Sequence, residues 1–107
     1  MRLERFRSEI LAFMQRFDAI LCPVFGRVAP HHGFSDKLEV PKDLSYTYLA
    51  NCTGWPAATV RAGTSSDGLP IGVQIIARPF REDVALALTE QVETALGGWK
   101  PPTIMIS

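Results

Sequence analysis

Three sets of side chains in this sequence have the chemistry that enzyme sites use. Ser65 and Ser66 are adjacent hydroxyl groups, Cys22 precedes His31 and His32, and carboxylates recur along the chain. Serine and cysteine attack as nucleophiles when a nearby base takes their proton, and histidine is the commonest base. Each set is therefore a candidate for nucleophilic or acid–base chemistry.

The paired serines lie in a stretch that is typical of a turn. Residues 63–68 read G-T-S-S-D-G, which combines glycines with side chains that bond their own backbone. Neither serine has a histidine or lysine close by in sequence, and no G-x-S-x-G elbow surrounds them. We expect a hairpin connection here and no nucleophile.

The thiol of Cys22 ends an apolar run, where cysteine more often packs as a small apolar residue than reacts. A thiol–imidazole pair of Cys22 with His31 or His32 is the minor alternative. A zinc site is disfavoured because no C-x2-C unit exists and adjacent histidines turn poorly toward one metal. The histidines are expected in a loop, with a place at a pocket rim as the alternative.

The remaining candidate groups have simpler explanations. Asp36, Glu39 and Asp43 flank a loop, and Glu82 with Asp83 suits the N-terminus of a helix. No glycine-rich phosphate loop of the G-x4-G-K type is present. The residues therefore predict no catalytic residue, no metal site and no cofactor in this chain.

Length and charge limit the class of protein. The chain has 107 residues with 11 basic and 11 acidic side chains, so its formal net charge is zero. Nucleic acids and anionic membrane surfaces bind basic proteins, so neither is expected as a partner. No apolar run approaches the roughly 18 residues of a membrane span, and the first residues lack the apolar core of a secretory signal. We expect a single cytoplasmic domain.

The first half of the chain predicts a helix, a strand and a long loop. Residues 18–24 are apolar without alternation, which is typical of a strand buried on both faces in a parallel sheet. Residues 25–42 contain glycines and prolines that break every periodicity, and long irregular loops are often functional. The opening helix has one apolar stripe at three- and four-residue spacings, formed by Leu3, Phe6, Ile10, Phe13, Met14 and Phe17.

The second half predicts a short helix, a hairpin and a closing helix. The short helix ends near Cys52, with Asp43 or Ser45 as its cap. The hairpin strands cover residues 57–62 and 70–77, and Gly72 weakens the second strand unless another backbone or a side chain approaches closely there. The last helix begins at Glu82 and ends at Gly97-Gly98. The expected buried side of the short helix comprises Tyr46, Tyr48, Leu49 and Cys52.

The predicted fold class is α/β, with about three strands and two main helices. Trp55 and Trp99 lie next to glycine or proline, where tryptophan usually fills the end of a core and less often walls a ligand pocket. A strand that is apolar on both faces must be buried by a layer on each side of the sheet, and two main helices can cover only a small part of both faces. The chain is therefore expected either to self-associate or to be part of something larger.

Several blocks together resemble the C-terminal part of the amidase signature family. They are D-A-I-L-C-P at residues 18–23, Y-T-Y at 46–48, N-C-T-G-W-P-A-A at 51–58 and D-G-L-P-I-G-V-Q-I-I-A-R-P-F at 67–80. The order and spacing of these blocks match from about residue 10 to residue 102. The ending A-L-G-G-W-K-P-P at residues 95–102 is similar to the bacterial general amidases.

The resemblance implies amide hydrolysis by acyl transfer. Members of the family use a serine nucleophile, a second serine in a cis peptide and a lysine, with backbone N–H groups as the oxyanion hole. Lys37, Lys42 and Lys100 match no position of that motif, and no Gly-Gly-Ser-Ser-like run is present. The resemblance therefore implies a fragment of an α/β/α mixed-sheet core, residues 1–107 forming the C-terminal portion of the domain, inactive alone.

The resemblance also implies where substrate binds. The variable stretch between the strand at 18–23 and the helix at 46–48 lies near the substrate cleft of the family. The implied partners are a small amide substrate and either an N-terminal amidase portion or a second copy of the chain. The alternative is a stand-alone binding module that self-associates through its sheet edge. The candidate substrate-binding residues are His31, His32, Phe34, Tyr46 and Trp55.

Overall fold

Three helices and three strands form the part of the chain that the computed structural model describes, which is residues 2–33, 37 and 45–102. Helix α1 spans Arg2–Met14, strand β1 Ala19–Pro23, helix α2 Tyr48–Thr53, strand β2 Ala57–Thr64, strand β3 Pro70–Ala77 and helix α3 Glu82–Leu96. A 3-10 turn at Ser45–Thr47 leads into α2. The predicted α/β class with three strands is confirmed.

The sheet is antiparallel, with β3 between β1 and β2. The predicted hairpin is present, and its second strand has the predicted bounds. The Ser65 backbone N–H donates to the carbonyl of Leu69 at 2.8 Å, and the Ser65 hydroxyl accepts from the Leu69 N–H at 3.1 Å. Gly68 has a φ of 83°, which glycine adopts without strain. Ser65 therefore closes the turn, as the sequence predicts.

The strand predicted at residues 18–24 is present as β1 and ends at Pro23, but the expected parallel pairing and burial on both faces are wrong for the described chain. Strand β1 pairs antiparallel with β3 at the edge of the sheet, with Leu21 opposite Ile75. The side chain of Leu21 is 64% exposed. A short apolar run indicates that a strand has apolar neighbours, but it does not show the direction of its partner strand or how many of its faces are covered. The sequence therefore cannot distinguish a buried parallel strand from an edge strand with one uncovered face.

Helices cover the two faces of the sheet unequally. On one face, Met14 of α1 and Trp55 pack with Ile76 of β3, and Ile20 and Cys22 of β1 lie against them. On the other face, α3 packs on β2 and β3. The core is therefore small, and β1 has a helix layer mainly on one side.

The apolar stripe of α1 is more exposed than the sequence predicts. Met14 is buried, whereas Phe13 and Phe17 are 54% and 47% exposed. In α2, Tyr48 is 47% exposed and Leu49 contributes to the core. The predicted buried side of this helix is therefore wrong for Tyr46, Tyr48 and Cys52, which face solvent. Asp43, one predicted cap of the helix, lies outside the described residues.

The closing helix is fixed at both ends. Asp83 in its first turn forms two hydrogen bonds with the guanidinium of Arg81, at 3.0 and 3.2 Å. At the other end, Gly97 has a φ of 89°, as predicted for a C-cap glycine. The Arg61 guanidinium donates to the carbonyls of Leu96 and Gly98, so a cation lies at the negative end of the helix dipole.

Gln74 joins three segments of the chain. Its side chain is only 4% exposed in the middle of β3. The Nε2 group donates to the carbonyl of Pro23 at 3.0 Å and to the carbonyl of Tyr46 at 2.6 Å. This buried amide therefore holds the end of β1 and the turn before α2 against the central strand.

No helix among residues 2–33 and 45–102 is long and apolar enough to cross a membrane.

Replacing Gln74 by methionine, which is similar in length, is expected to lower the free energy of unfolding by about 2 kcal/mol, because two part-buried carbonyls lose their donor. Urea unfolding of the purified chain measures this loss. The matched control is Gln15→Met, since Gln15 makes one exposed bond to Leu11. The control is expected to change stability by less than about 0.5 kcal/mol. Equal losses in the two variants would contradict the role assigned to Gln74.

Candidate functional site

The segment after β1 crosses the start of β3 and encloses a cavity of about 440 Å³ between the two. Gly72, on this cavity wall, packs tightly against Thr59 of the neighbouring strand β2. A Cβ at this position would lie 3.3 Å from Cγ2 of Thr59 and 3.8 Å from Cγ2 of Val24. The sequence left open whether a neighbour approaches Gly72 closely, and the side chain of Thr59 does so. The lining residues are Val24, Phe25, Gly26, Arg27, Val28, Ala29, Pro70, Ile71 and Gly72.

A larger cavity of about 1080 Å³ adjoins the first and shares residues 27–29 with it. We call it the hairpin cleft. Its lining comprises residues 27–32 on one side, and Asp67 with Leu69 of the β2–β3 connection on the other. The cleft thus combines one guanidinium, two imidazoles and one carboxylate with apolar side chains. Such a mixture suits binding of a small polar molecule with an apolar part.

The structure brings two of the five candidate substrate-binding residues together. His31 and His32 both line the hairpin cleft and are exposed. Tyr46 is 39% exposed and lines neither cavity of this site. Trp55 is 6% exposed in the core, against Met14 and Ile76. Phe34 lies outside the described residues.

The two tryptophans behave differently from one another. Trp55 fills the end of the core, which is the commoner of the two interpretations of its sequence position. Trp99 is 77% exposed, so the core interpretation is wrong for it. The difference arises because Trp55 immediately precedes a strand, whereas Trp99 follows the last helix after two glycines.

The hairpin cleft contains side chains of the kinds that hydrogen-bond small polar ligands. Among the described residues that line it, none carries a hydroxyl, thiol or primary amine that could attack a carbonyl. The described part of the chain also holds no group of three or more histidine, cysteine or acidic residues placed to bind a metal ion. The described lining therefore offers groups that hydrogen-bond a ligand and none that attacks a carbonyl.

The thiol of Cys22 does not join the histidines. Cys22 packs against the cluster of Met14, Trp55 and Ile76 and lines neither cavity of the site. Burial raises the pKa of this thiol, and the side chain of Gln74 lowers the pKa in part. A raised pKa leaves less of the reactive thiolate at neutral pH. Cys22 is therefore a packing residue, as its sequence position favours.

The sequence pattern did not reveal Asp67 and Leu69 as cleft residues. They reach the site because Pro23 is opposite Val73, so the chain leaves β1 beside the hairpin connection. The sequence analysis identified the D-G-L-P block at residues 67–70 as part of a turn and of a family motif, but it did not predict a contact with the loop after β1. Knowledge of the antiparallel pairing of β1 with β3 would have placed Asp67 next to the loop.

Comparisons with known proteins agree with one another. The amidase family model matches residues 1–86. The glutamyl-tRNA(Gln) amidotransferase subunit of Xanthobacter autotrophicus is 39% identical over 90 residues, which are 79% of this chain and 18% of that protein. Human fatty-acid amide hydrolase 2 is 31% identical over 99 residues, covering 92% of this chain and 18% of that protein.

A solved structure also matches the fold. The 6-aminohexanoate cyclic dimer hydrolase, in complex with substrate, superposes with a TM-score of 0.78 and 29% identity. The superposition covers 94% of this chain and 24% of the hydrolase. The chain therefore spans about one fifth of the length of the curated relatives named above and about one quarter of this solved structure.

Alkylation by iodoacetamide tests the assignment of Cys22. In the folded chain at pH 7.5, Cys22 is expected to react more slowly than the exposed Cys52. Because its pKa is raised, the reaction of Cys22 should accelerate at a higher pH in the folded chain than in urea. Mass spectrometry of the peptides measures both rates, and the urea-unfolded chain is the control. Faster reaction of Cys22 in the folded state would indicate an activated thiol.

Proposed function

This chain belongs to the amidase family, and we propose on that premise that it is the C-terminal part of an amide hydrolase whose serine nucleophile lies outside these residues. The observation that carries the proposal is the hairpin cleft, which has binding groups and no nucleophile among its described lining residues. The sequence also lacks the lysine and serine pattern by which the family cleaves amides.

In this proposal, residues 1–107 are one portion of a larger amidase domain, and residues 25–40 are the candidate for part of its substrate wall. His31 and His32 are the first candidates for substrate contact because both line the hairpin cleft. Asp67 faces the same cavity from the hairpin side. Neutral histidine both donates and accepts hydrogen bonds, so these residues suit an amide, which offers one N–H side and one carbonyl.

The other three candidates, Tyr46, Trp55 and Phe34, have weaker support than the two histidines. Tyr46 lines neither cavity, so it stays a candidate from the sequence, with its backbone held by Gln74. Trp55 is buried in the core with Met14 and Ile76, so any effect of this residue on substrate binding would be indirect. Phe34 stays a candidate from the sequence alone.

The substrate is proposed only as an amide. The names of the relatives refer to an amidotransferase for glutamyl-tRNA(Gln), to fatty-acid amides and to a cyclic dimer of 6-aminohexanoate, which differ widely in size and charge. Selectivity in such a set depends on pocket shape and on polar groups that match the substrate. Most of the pocket would belong to the polypeptide that this chain does not include. The cytoplasmic location expected from the sequence stays a prediction.

A second function is favoured by the exposed apolar surface. Leu21, Phe80 and Trp99 are 64%, 90% and 77% exposed. Phe80 also has a φ of 64°, which is rare for a residue other than glycine. Exposed apolar side chains and a free strand edge suit a stand-alone module that associates with its own copies. Light scattering distinguishes the two, because this alternative requires a dimer or larger species of the purified chain.

The purified chain is expected to hydrolyse neither primary amides, aryl amides nor fatty amides, because no nucleophile is found among the described residues of the cleft. Release of ammonia or of the chromogenic amine measures the rate. Cys22→Ala, purified in parallel, is the control for the alternative of an independent cysteine enzyme. Turnover that stays with the chain through further purification would contradict the proposal. Loss of that turnover in Cys22→Ala would instead support the cysteine enzyme.

A further inference from the structure

We propose that the cavity between the β2–β3 connection and the segment after α3 binds a free α-amino acid with an apolar side chain. We call it the tail cavity. Residues 67–70, together with Arg61 and Thr64 of β2, line one side of it, and residues 99–102 line the other. All of these residues belong to the described chain, so the proposal goes beyond the proposed function and needs no nucleophile.

The size of the tail cavity suits a ligand no larger than an amino acid. Its volume is about 270 Å³, below the roughly 300–1,000 Å³ of pockets for drug-sized molecules. A sphere of this volume is about 8 Å across, so hydrogen bonds of roughly 2.9 Å to opposite walls leave only a few ångströms between the two polar groups of the ligand. The ammonium and carboxylate of an α-amino acid are separated by a single carbon atom, which meets this limit.

One end of the tail cavity carries two cationic side chains. The guanidinium of Arg61 donates to the carbonyls of Leu96 and Gly98 at the end of α3, and in the described chain it forms no ion pair with a carboxylate. The helix dipole offsets only part of its charge. Lys100 lies at the same end, because its Cε is 3.8 Å from the position that a Cβ of Gly97 would occupy. We expect the carboxylate of the ligand here.

The opposite charge in the tail cavity is that of Asp67, which also lines the hairpin cleft. Within residues 2–33, 37 and 45–102, neither Asp67 nor Lys100 forms an ion pair with another side chain. The cavity therefore carries a negative and a positive group that do not pair with each other. A ligand with both an ammonium and a carboxylate pairs with both groups, whereas a simple anion would leave Asp67 unpaired beside it.

The remaining walls of the tail cavity are apolar. They come from Trp99, Leu69 and the prolines at positions 70, 101 and 102. The indole of Trp99 is 77% exposed, and a pocket wall is the less common role that its sequence position allows. An indole also attracts a cation above its ring, so Trp99 can contact the ammonium of the ligand as well as its apolar side chain.

The test is an NMR titration of the ¹⁵N-labelled 107-residue chain with L-leucine. Saturable shifts are expected for the amides of residues 61–69 and 97–100, with a Kd of about 1 mM or tighter. The amides of α1 are the internal control and should not shift. 4-Methylpentanoate lacks the ammonium and 3-methylbutylamine lacks the carboxylate. Each should bind at least about fivefold more weakly than L-leucine, because each keeps only one of the two charge contacts.

Two variants assign the contacts. Lys100→Met is expected to weaken the binding of L-leucine and of 4-methylpentanoate about fivefold. Asp67→Asn is expected to weaken L-leucine by a similar factor and to leave 4-methylpentanoate bound no more weakly, whereas a purely structural loss would weaken both ligands. The matched controls are Arg16→Met and Glu90→Gln, since both side chains are exposed and lie outside the cavity. Both controls should bind L-leucine as the unmodified chain does.

The outcomes decide the proposal directly. Shifts on both walls, with L-leucine preferred over its two analogues, support it. Shifts at residues 27–32 without shifts at 97–100 place the ligand in the hairpin cleft and overturn it. Equal Kd values for L-leucine and 4-methylpentanoate, equal effects of the variants and their controls, or no saturable shift up to about 20 mM overturn it as well. None of these results contradicts the proposed function, which concerns the hairpin cleft and a nucleophile outside these residues.

Discussion

The hydrogen bonds of one buried amide determine how the sheet relates to the segments around it. Gln74 sits in the middle strand, and its two donors are used by carbonyls from the end of β1 and from the turn before α2. A buried amide without partners is costly, so the position of Gln74 is favourable only while both segments stay in place. One of these bonds holds the end of β1, whose Ile20 and Cys22 pack against the core of Met14, Trp55 and Ile76.

The parts of the fold that the sequence predicts well are those with local causes. The hairpin follows from turn chemistry at residues 63–68, and α3 ends where Gly97 takes a positive φ. The direction of β1 depends on the strand with which it pairs, and the burial of the α1 stripe depends on the surface that covers it. Both are contacts with distant parts of the chain, which a local sequence pattern does not show. Their errors have one physical origin, since an apolar side chain shows the same pattern whether its cover lies within the chain or outside it.

The residues of the candidate site likewise differ in whether local sequence or long-range contacts determine their position. His31 and His32 stand in a loop that composition alone marks as irregular, and the structure brings both to one cleft. Asp67 joins them only through the register of β1 on β3, a contact between residues far apart in sequence. Trp55 and Trp99 have similar sequence surroundings and opposite burial. The sequence therefore fails to predict those site residues that reach the cleft only because two distant segments pack together.

The two carbonyls that Gln74 binds have a consequence for how this protein can diversify. They belong to Pro23 and Tyr46, so a single side chain clamps the chain on both flanks of residues 24–45. Lengthening a segment whose ends are already fixed costs little, since closure entropy grows only with the logarithm of length. We expect the intervening stretch to accept changes of length and sequence as long as Gln74 keeps both bonds. The sheet and the core would then keep their shape.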